Sequence, residues 1–172
     1  MHIPFLKTEH LELIAPSIDA LPIYLNFYLD PEASKQYGGP LSREQTWARL
    51  KADIGSWDLL GFGVWIVKEI ETGSLLGTCG YWKGCDWPTE LTWWLLPCAR
   101  GKGYATEASK AVINYAYEHF QWKAVETYMN DDNLPARNLA LKLRGIKQRR
   151  DKFPDGLERD IFQLPRNAQQ GA

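Results

Sequence analysis

Leu95-Leu96-Pro97-Cys98-Ala99-Arg100-Gly101-Lys102-Gly103-Tyr104-Ala105-Thr106 runs an apolar strand into a loop of small residues that opens a long helix. A helix start leaves backbone N–H groups unpaired and carries the positive end of the helix dipole, so glycines there let an anion reach bare main chain. The loop lacks the longer glycine-lysine-serine/threonine spacing of a nucleotide-hydrolysing P-loop. It also lacks the later glycines of a dinucleotide fingerprint. The stretch therefore predicts a phosphate cradle for an anion other than ATP or NAD.

Around the cradle the chain reads as alternating strands and helices. Leu6 to Ile14 alternates about Leu11 and Leu13 and predicts a first strand. Ser17 then caps a helix with Leu21, Tyr24, Leu25 and Tyr28 on one face, stopped by Pro31. Ser42 with Gln45 is a capping-box signature for a second helix carrying Trp47, Leu50 and Ile54. Three strands follow at Gly61 to Lys68, Leu75 to Trp82 and Glu90 to Leu96. After the cradle helix come a strand at Ala124 to Met129, a helix from Leu134 to Arg144, and a hairpin of Ile146 to Lys152 with Glu158 to Leu164. A frayed tail is expected after Pro165. Hairpin strands followed by strand, helix and strand require helices packed on a sheet, an α/β (α+β) layered domain.

The whole chain bounds the function. Its 172 residues are read as one domain, residues 1–172, able to bury roughly two thirds of the unfolded surface. Twenty basic residues against 21 acidic ones give no footprint for nucleic acid or a membrane surface. No apolar run is long enough to span a bilayer, and the opening residues lack a signal peptide's hydrophobic core, so a cytoplasmic protein is expected. Cys79, Cys85 and Cys98 have no paired metal spacing and the three histidines form no cluster, so neither a zinc site nor a disulfide framework is expected. Six of the eight tryptophans fall between Trp57 and Trp94, most of them expected in the core and some walling a cleft.

Arg100-Gly101-Lys102-Gly103-Tyr104-Ala105 resembles the Arg/Gln-x-x-Gly-x-Gly/Ala signature of the acetyl-CoA loop of the GNAT acyltransferases. The order β-α-α-β-β-β-α-β-α-β-β is similar to the GNAT fold, which implies a mixed central sheet of about seven strands flanked by about four helices. Thr8-Glu9-His10-Leu11 resembles the Thr-x-Arg-Leu opening of the RimJ/RimL-type branch, with His10 where Arg is usual. Asn133-Leu134-Pro135-Ala136 resembles the family's Asn-x-x-Ser/Ala helix start.

The resemblance implies acetyl-CoA as co-substrate, without a metal. Gly101, Lys102, Gly103, Tyr104, Ala105 and Thr106 would hold the pyrophosphate. Leu95 and Leu96 would offer main chain to the pantetheine arm, Arg100 and Lys102 would add charge, and Asn133 would bond the pantetheine amide. Glu107 in the first helical turn would repel phosphate and is expected to face away as a structural group. Ala136 stands where many RimL-type members have Ser, and Ala140 where many GNATs have a Tyr acid.

A thiol titrates near 8.5, so a thiolate leaves without large cost, and Tyr128 is expected to serve the core rather than as a proton donor. The acceptor amine must be neutral to attack. An α-amine with a pKa near 8 is roughly a tenth neutral at pH 7, whereas a lysine is under a thousandth. Glu90, which opens its strand, is the candidate base, and Trp94 on its face would raise its pKa if the strand has no bulge. These features imply an N-acetyltransferase acting by direct transfer on a primary amine, either a small molecule or a protein N-terminus, with residues 28–60 and 83–90 setting the acceptor. A monomer or homodimer fits. The alternative left open by Ala136 and Ala140 is a non-catalytic acyl-CoA binding or sensing module on the same fold.

Overall fold

The computed structural model describes residues 2–167; the expected tail beyond Asn167 lies outside the described residues. Strands β1 (Leu6–Lys7) and β2 (Leu11–Ile14) lead through a 3-10 turn at Ile18–Ala20 into α1 (Leu21–Tyr28), α2 (Pro31–Ser34) and α3 (Arg43–Leu60). Then come β3 (Val64–Glu69), β4 (Leu75–Trp82), β5 (Glu90–Leu95), a 3-10 turn at Pro97–Ala99 and α4 (Tyr104–Glu118). The chain closes with β6 (Val125–Tyr128), α5 (Leu134–Lys142), β7 (Ile146–Lys152) and β8 (Glu158–Leu164).

Local chemistry explains where elements begin and end. The expected first strand is a tight hairpin, because the Thr8 hydroxyl oxygen accepts Leu11 N–H at 3.1 Å and Thr8 N–H donates to Leu11 O at 2.9 Å, which folds β1 back onto β2. Pro31 ends α1 as expected and also begins α2. Its missing N–H costs nothing at a first helical position, while Asp30 Oδ1 accepts the N–H groups of Glu32 and Ala33 at 2.9 and 3.2 Å. The capping box at α3 is complete: Ser42 Oγ accepts from Gln45 N–H at 3.1 Å, and Gln45 Oε1 accepts from Ser42 N–H at 2.8 Å. Gly61 caps α3 rather than opening a strand, so β3 starts three residues later at Val64. At the end of α5, Arg144 itself takes the left-handed turn, at φ 61°.

The strands form two sheets, β1-β2-β3-β4-β5 and β6-β8-β7, with every ladder antiparallel. Each face of the larger sheet is covered. Leu11, Leu13, Trp65, Val67, Leu91 and Leu95 pack with Ala108, Val112 and Ala116 of α4. Ile66, Trp94 and Leu96 point the other way, onto Tyr24, Phe27 and Tyr28 of α1 and Leu50 of α3. Helices on both faces explain why β3 reads as a continuous apolar run instead of an alternating one. Trp57, Trp65 and Trp94 are core residues, whereas Trp87 and Trp93 wall cavities. No helix among the described residues is long and apolar enough to cross a membrane.

The expected central sheet is thus parted. β5 and β6 belong to different ladders, and the gap between them is where the site forms.

Candidate active site

The loop after β5 builds the cradle. Gly101 and Gly103 have φ of 79° and 81°, a left-handed conformation that disfavours an L side chain by about 1–2 kcal/mol. Gly103 is the N-cap of α4 and has no side chain to cap with, so the N–H groups of Tyr104, Ala105 and Thr106 find no partner within the helix; the first internal bond is Glu107 N–H to Gly103 O, at 3.0 Å. Gly101, Gly103, Tyr104, Ala105 and Thr106 line a cleft of about 930 Å³ between this helix start and α5.

The edge of β5 forms one wall. Leu96 N–H donates to Leu76 O at 2.8 Å, and the β4–β5 register steps without a break, so the bonded pairs fall at Glu90, Thr92, Trp94 and Leu96. Leu91, Trp93 and Leu95 therefore turn their main-chain groups away from β4, toward the gap. The Leu91 carbonyl accepts the Thr127 hydroxyl at 2.9 Å and the Leu95 carbonyl accepts Arg100 Nε at 3.1 Å.

This corrects the expectation for Leu96. Its N–H is spent on Leu76 and its C=O on Ala99, so the main chain bordering the gap is that of Trp93 and Leu95. The alternation that decides this is set by the partner strand, and a strand sequence alone does not reveal it.

The two loop cations are used differently from the expectation. Arg100 folds back, donating to Leu95 O and, at 3.4 Å, to Ala33 O, which ties α2 to the end of β5. It still lines the cleft. Lys102 is exposed and does not line the cleft; its Nζ lies 5.8 Å from the Tyr104 ring centre. The Tyr104 hydroxyl in turn donates to Glu69 Oε1 at 2.6 Å, so Lys102 joins an anionic neighbourhood on the far side of the loop.

Glu107 faces away from the cradle as expected. It accepts from the Thr8 hydroxyl and from His10 N–H at 2.8 Å, and pairs with His10 Nδ1 at 2.9 Å. Partial burial would raise its pKa, but the bonds from Thr8 and His10 outweigh that and hold the carboxylate low. The same bond raises the imidazole of His10.

Asn133 caps α5, its Oδ1 accepting Ala136 N–H at 3.3 Å, and it lines the cleft. Capping uses only the oxygen. The amide NH₂ keeps its two donors, so one side chain can serve both helix and ligand. The face of α5 turned to the cleft carries Asn133, Ala136 and Leu139. Ala140 is fully buried in the core, so the position expected to hold a Tyr acid does not face the gap.

A second cavity of about 400 Å³ adjoins the cleft, with Tyr37, Trp93, Asn133 and Ala136 among the residues in the walls of both. Glu90 lies in its wall with Thr92, Trp87 and Tyr128. The unbroken register keeps Glu90 and Trp94 on one face of β5. Desolvation by the surrounding protein pushes the Glu90 carboxyl up to about 8, against the opposing pull of the cations Arg49 and Arg159. Tyr128 packs with Phe153 and Ile161, and its hydroxyl donates to Pro88 O at 3.0 Å.

Sequence reading missed the far wall of this cavity. Asp155, Leu157 and Arg159 come from the β7–β8 hairpin, about 65 residues along the chain from Glu90. Arg159 is held by both Asp155 oxygens, at 2.9 and 2.6 Å, and by Asn130 Oδ1 at 2.9 Å, which consumes its charge inside the wall. The close repeat Asp155-x-x-x-Arg159 was the available signal.

A parted sheet beside an uncapped, glycine-started helix, with a free strand edge along the gap, is the arrangement of a CoA-dependent acyltransferase. The chain belongs to the acetyltransferase (GNAT) domain family, whose profile matches residues 10–145. The crystal structure of an acetyltransferase from Agrobacterium tumefaciens is 28% identical, covers 96% of both chains and superposes with a TM-score of 0.87. RimL, the ribosomal L7/L12 alpha-N-protein acetyltransferase, solved in complex with coenzyme A, shares the fold at 14% identity, with a TM-score of 0.76 over 93% of this chain and 97% of that one. An N-acetyltransferase 9-like protein from Caenorhabditis elegans is 34% identical over 71 residues, which is 41% of this chain and 34% of that relative's length.

Proposed function

We propose that this protein is an acetyl-CoA-dependent N-acetyltransferase that transfers directly to a primary amine. The observation that carries the reading is that two adjoining cavities share Tyr37, Trp93, Asn133 and Ala136 in their walls, the uncapped start of α4 bordering one and the Glu90 carboxyl, of raised pKa, bordering the other. Acetyl-CoA would supply an activated thioester carbonyl.

The residues present fit that co-substrate. The N–H groups of Gly103, Tyr104, Ala105 and Thr106 suit its pyrophosphate, and Arg100 keeps guanidinium donors beyond the two it spends on carbonyls. The main chain of Trp93 and Leu95, with the amide NH₂ of Asn133, suits its pantetheine arm.

Glu90 serves as the base. A carboxyl near 8 is roughly a tenth ionised at pH 7, and it matches the proton of an amine about to attack far better than a carboxyl near 4.5 would. The wall combines the aromatic and apolar surfaces of Trp87, Trp93, Tyr128, Met129 and Leu157 with the carboxyl of Glu90 and the paired Asp155 and Arg159, which suits an amine on a compact, partly apolar body. A free small amine and the first residue of a protein both satisfy this. The cavity's size is that of one small ligand.

The test is a panel of primary amines and short peptides with free N-termini, incubated with acetyl-CoA and followed by release of free thiol. Turnover with any of them supports the transferase and removes the pure binding module. An enzyme that binds acetyl-CoA but acetylates none of them contradicts the reading.

A further inference from the structure

We propose that Arg159 is a positioning residue for the acceptor: lying against Trp87 and locked by Asp155 and Asn130, it fixes that indole as a wall of the smaller cavity and so sets which amines fit beside Glu90. The inference deepens the acetyl-transfer reading above and rests on it.

The loop of residues 83–89 joins β4 to β5 and brings Trp87 to the cavity, yet it does little to hold itself. Among the described residues, its internal bonds are Trp87 N–H to Gly84 O at 3.4 Å and Lys83 Nζ to Trp87 O at 3.2 Å. Trp93 and Tyr128 of the same wall sit on strands, whereas Trp87 depends on what packs against it. Trp82 meets its ring edge-on, with centroids 5.9 Å apart, and the rings of Tyr128 and Phe153 lie 6.3 and 5.4 Å away. The Arg159 guanidinium lies over the same indole, 5.3 Å from its centre.

Arg159 is itself immobilised. Its side chain is only 8% exposed, its Nε donates to Asn130 Oδ1 at 2.9 Å, and its terminal nitrogens donate to the two oxygens of Asp155 at 2.9 and 2.6 Å. It also lies 5.0 Å from the centre of the Phe153 ring, so one guanidinium spans two rings. Arg159 holds the Asp155 carboxyl down at about 2, which keeps the pair charged at any working pH. A guanidinium bonds two carboxylate oxygens with its edge and meets aromatic rings with its face; an ammonium does not.

The clamp belongs to the acceptor end. Trp87, Asp155 and Arg159 line the smaller cavity with Glu90 and do not line the larger cleft; Asn130 borders both. The Pro88 carbonyl is held separately, by the Tyr128 hydroxyl at 3.0 Å. Loss of the Arg159 fork therefore frees the indole without detaching its loop. A freed indole changes the space beside Glu90 and weakens amine binding, while Glu90 and the larger cleft keep their places.

The experiment compares wild type with Arg159→Lys, which keeps the charge and gives up the fork, and with Asp155→Asn, which keeps Arg159 and loosens its hold. Labelling with 5-fluorotryptophan gives a fluorine resonance for Trp87, identified by its loss in Trp87→Phe, as a readout independent of turnover. That resonance should be single and distinct from the solvent-exposed position in wild type, and should move toward that position in Arg159→Lys. KM for the best amine of the panel should rise about threefold to tenfold while kcat and the calorimetric affinity for acetyl-CoA stay within about twofold. The preference for compact over bulkier amines should shrink. Asp155→Asn should shift the same quantities in the same direction by less. An unchanged Trp87 resonance, or an unchanged amine KM, in both variants overturns the role of Arg159 and leaves the transferase standing. Equal weakening of amine and acetyl-CoA binding marks a merely structural role and overturns it too. A wild type that binds acetyl-CoA but acetylates no amine overturns the transferase reading, and the acceptor role falls with it whatever the resonance shows.

Discussion

The hydroxyl of Thr127 on β6 donates to the carbonyl of Leu91 on β5 at 2.9 Å, joining two strands that share no ladder. The bond lies at the closed end of the gap. Beyond it no ladder joins the strands, and the main chain of Trp93 and the N–H of Leu95 face the gap, the Leu95 carbonyl being taken by Arg100. A single side chain thus marks where the sheet stops being a sheet and becomes a cleft.

Thr127→Val keeps the shape and leaves a buried carbonyl unpaired, which costs about 1–3 kcal/mol. Urea denaturation should show that loss. Acetyl-CoA affinity should fall as well, because the width of the gap is no longer pinned, while a purely local role for the bond would leave affinity unchanged.

Replacing Glu90 by Gln should lower kcat about a hundredfold with little change in acetyl-CoA binding. In wild type, kcat/KM should rise with pH toward the Glu90 pKa of about 8, and the variant should lose that limb. Stability should respond in the opposite sense. The folded state holds the Glu90 proton up to about 8 while the unfolded chain releases it near 4.5, so stability falls as pH rises through that window. Glu90→Gln should therefore melt higher than wild type at pH 8.5 and close to it at pH 4.5.

Glu107 links α4 to the β1–β2 turn through Thr8 and His10. In wild type, His10 should titrate above its usual 6.5 by nuclear magnetic resonance, and Glu107→Gln should bring it back toward that value. His10 is exposed, so the shift should shrink in high salt. A His10 that titrates normally in wild type would show that the pair does not persist in solution.

The glycine-started, uncapped opening of α4 was legible in the sequence because everything that makes it lies within a dozen consecutive residues: a strand, two glycines and a helix start. The capping box at Ser42 and the outward turn of Glu107 were legible for the same local reason. Leu96 was misread because its orientation depends on its register with Leu76, twenty residues earlier. Arg100 and Lys102 look alike in sequence, yet one is drawn to the carbonyls of Leu95 and Ala33 and the other toward Tyr104 and Glu69. The spacing Asp155-x-x-x-Arg159 signals the pair itself, but its place in the cavity wall, like that of Tyr37 at the junction, is a product of packing between distant segments.

The central claim is that the helix start after β5 is the acetyl-CoA site, and it is tested most directly by calorimetric titration of acetyl-CoA into wild type and into Gly103→Asp. At Gly103 a side chain would be strained by the φ of 81°, and a carboxylate would also repel phosphate. Saturable one-to-one binding to wild type, abolished in the variant, is the result expected. No binding by wild type at millimolar acetyl-CoA, or equal binding by both proteins, would contradict it.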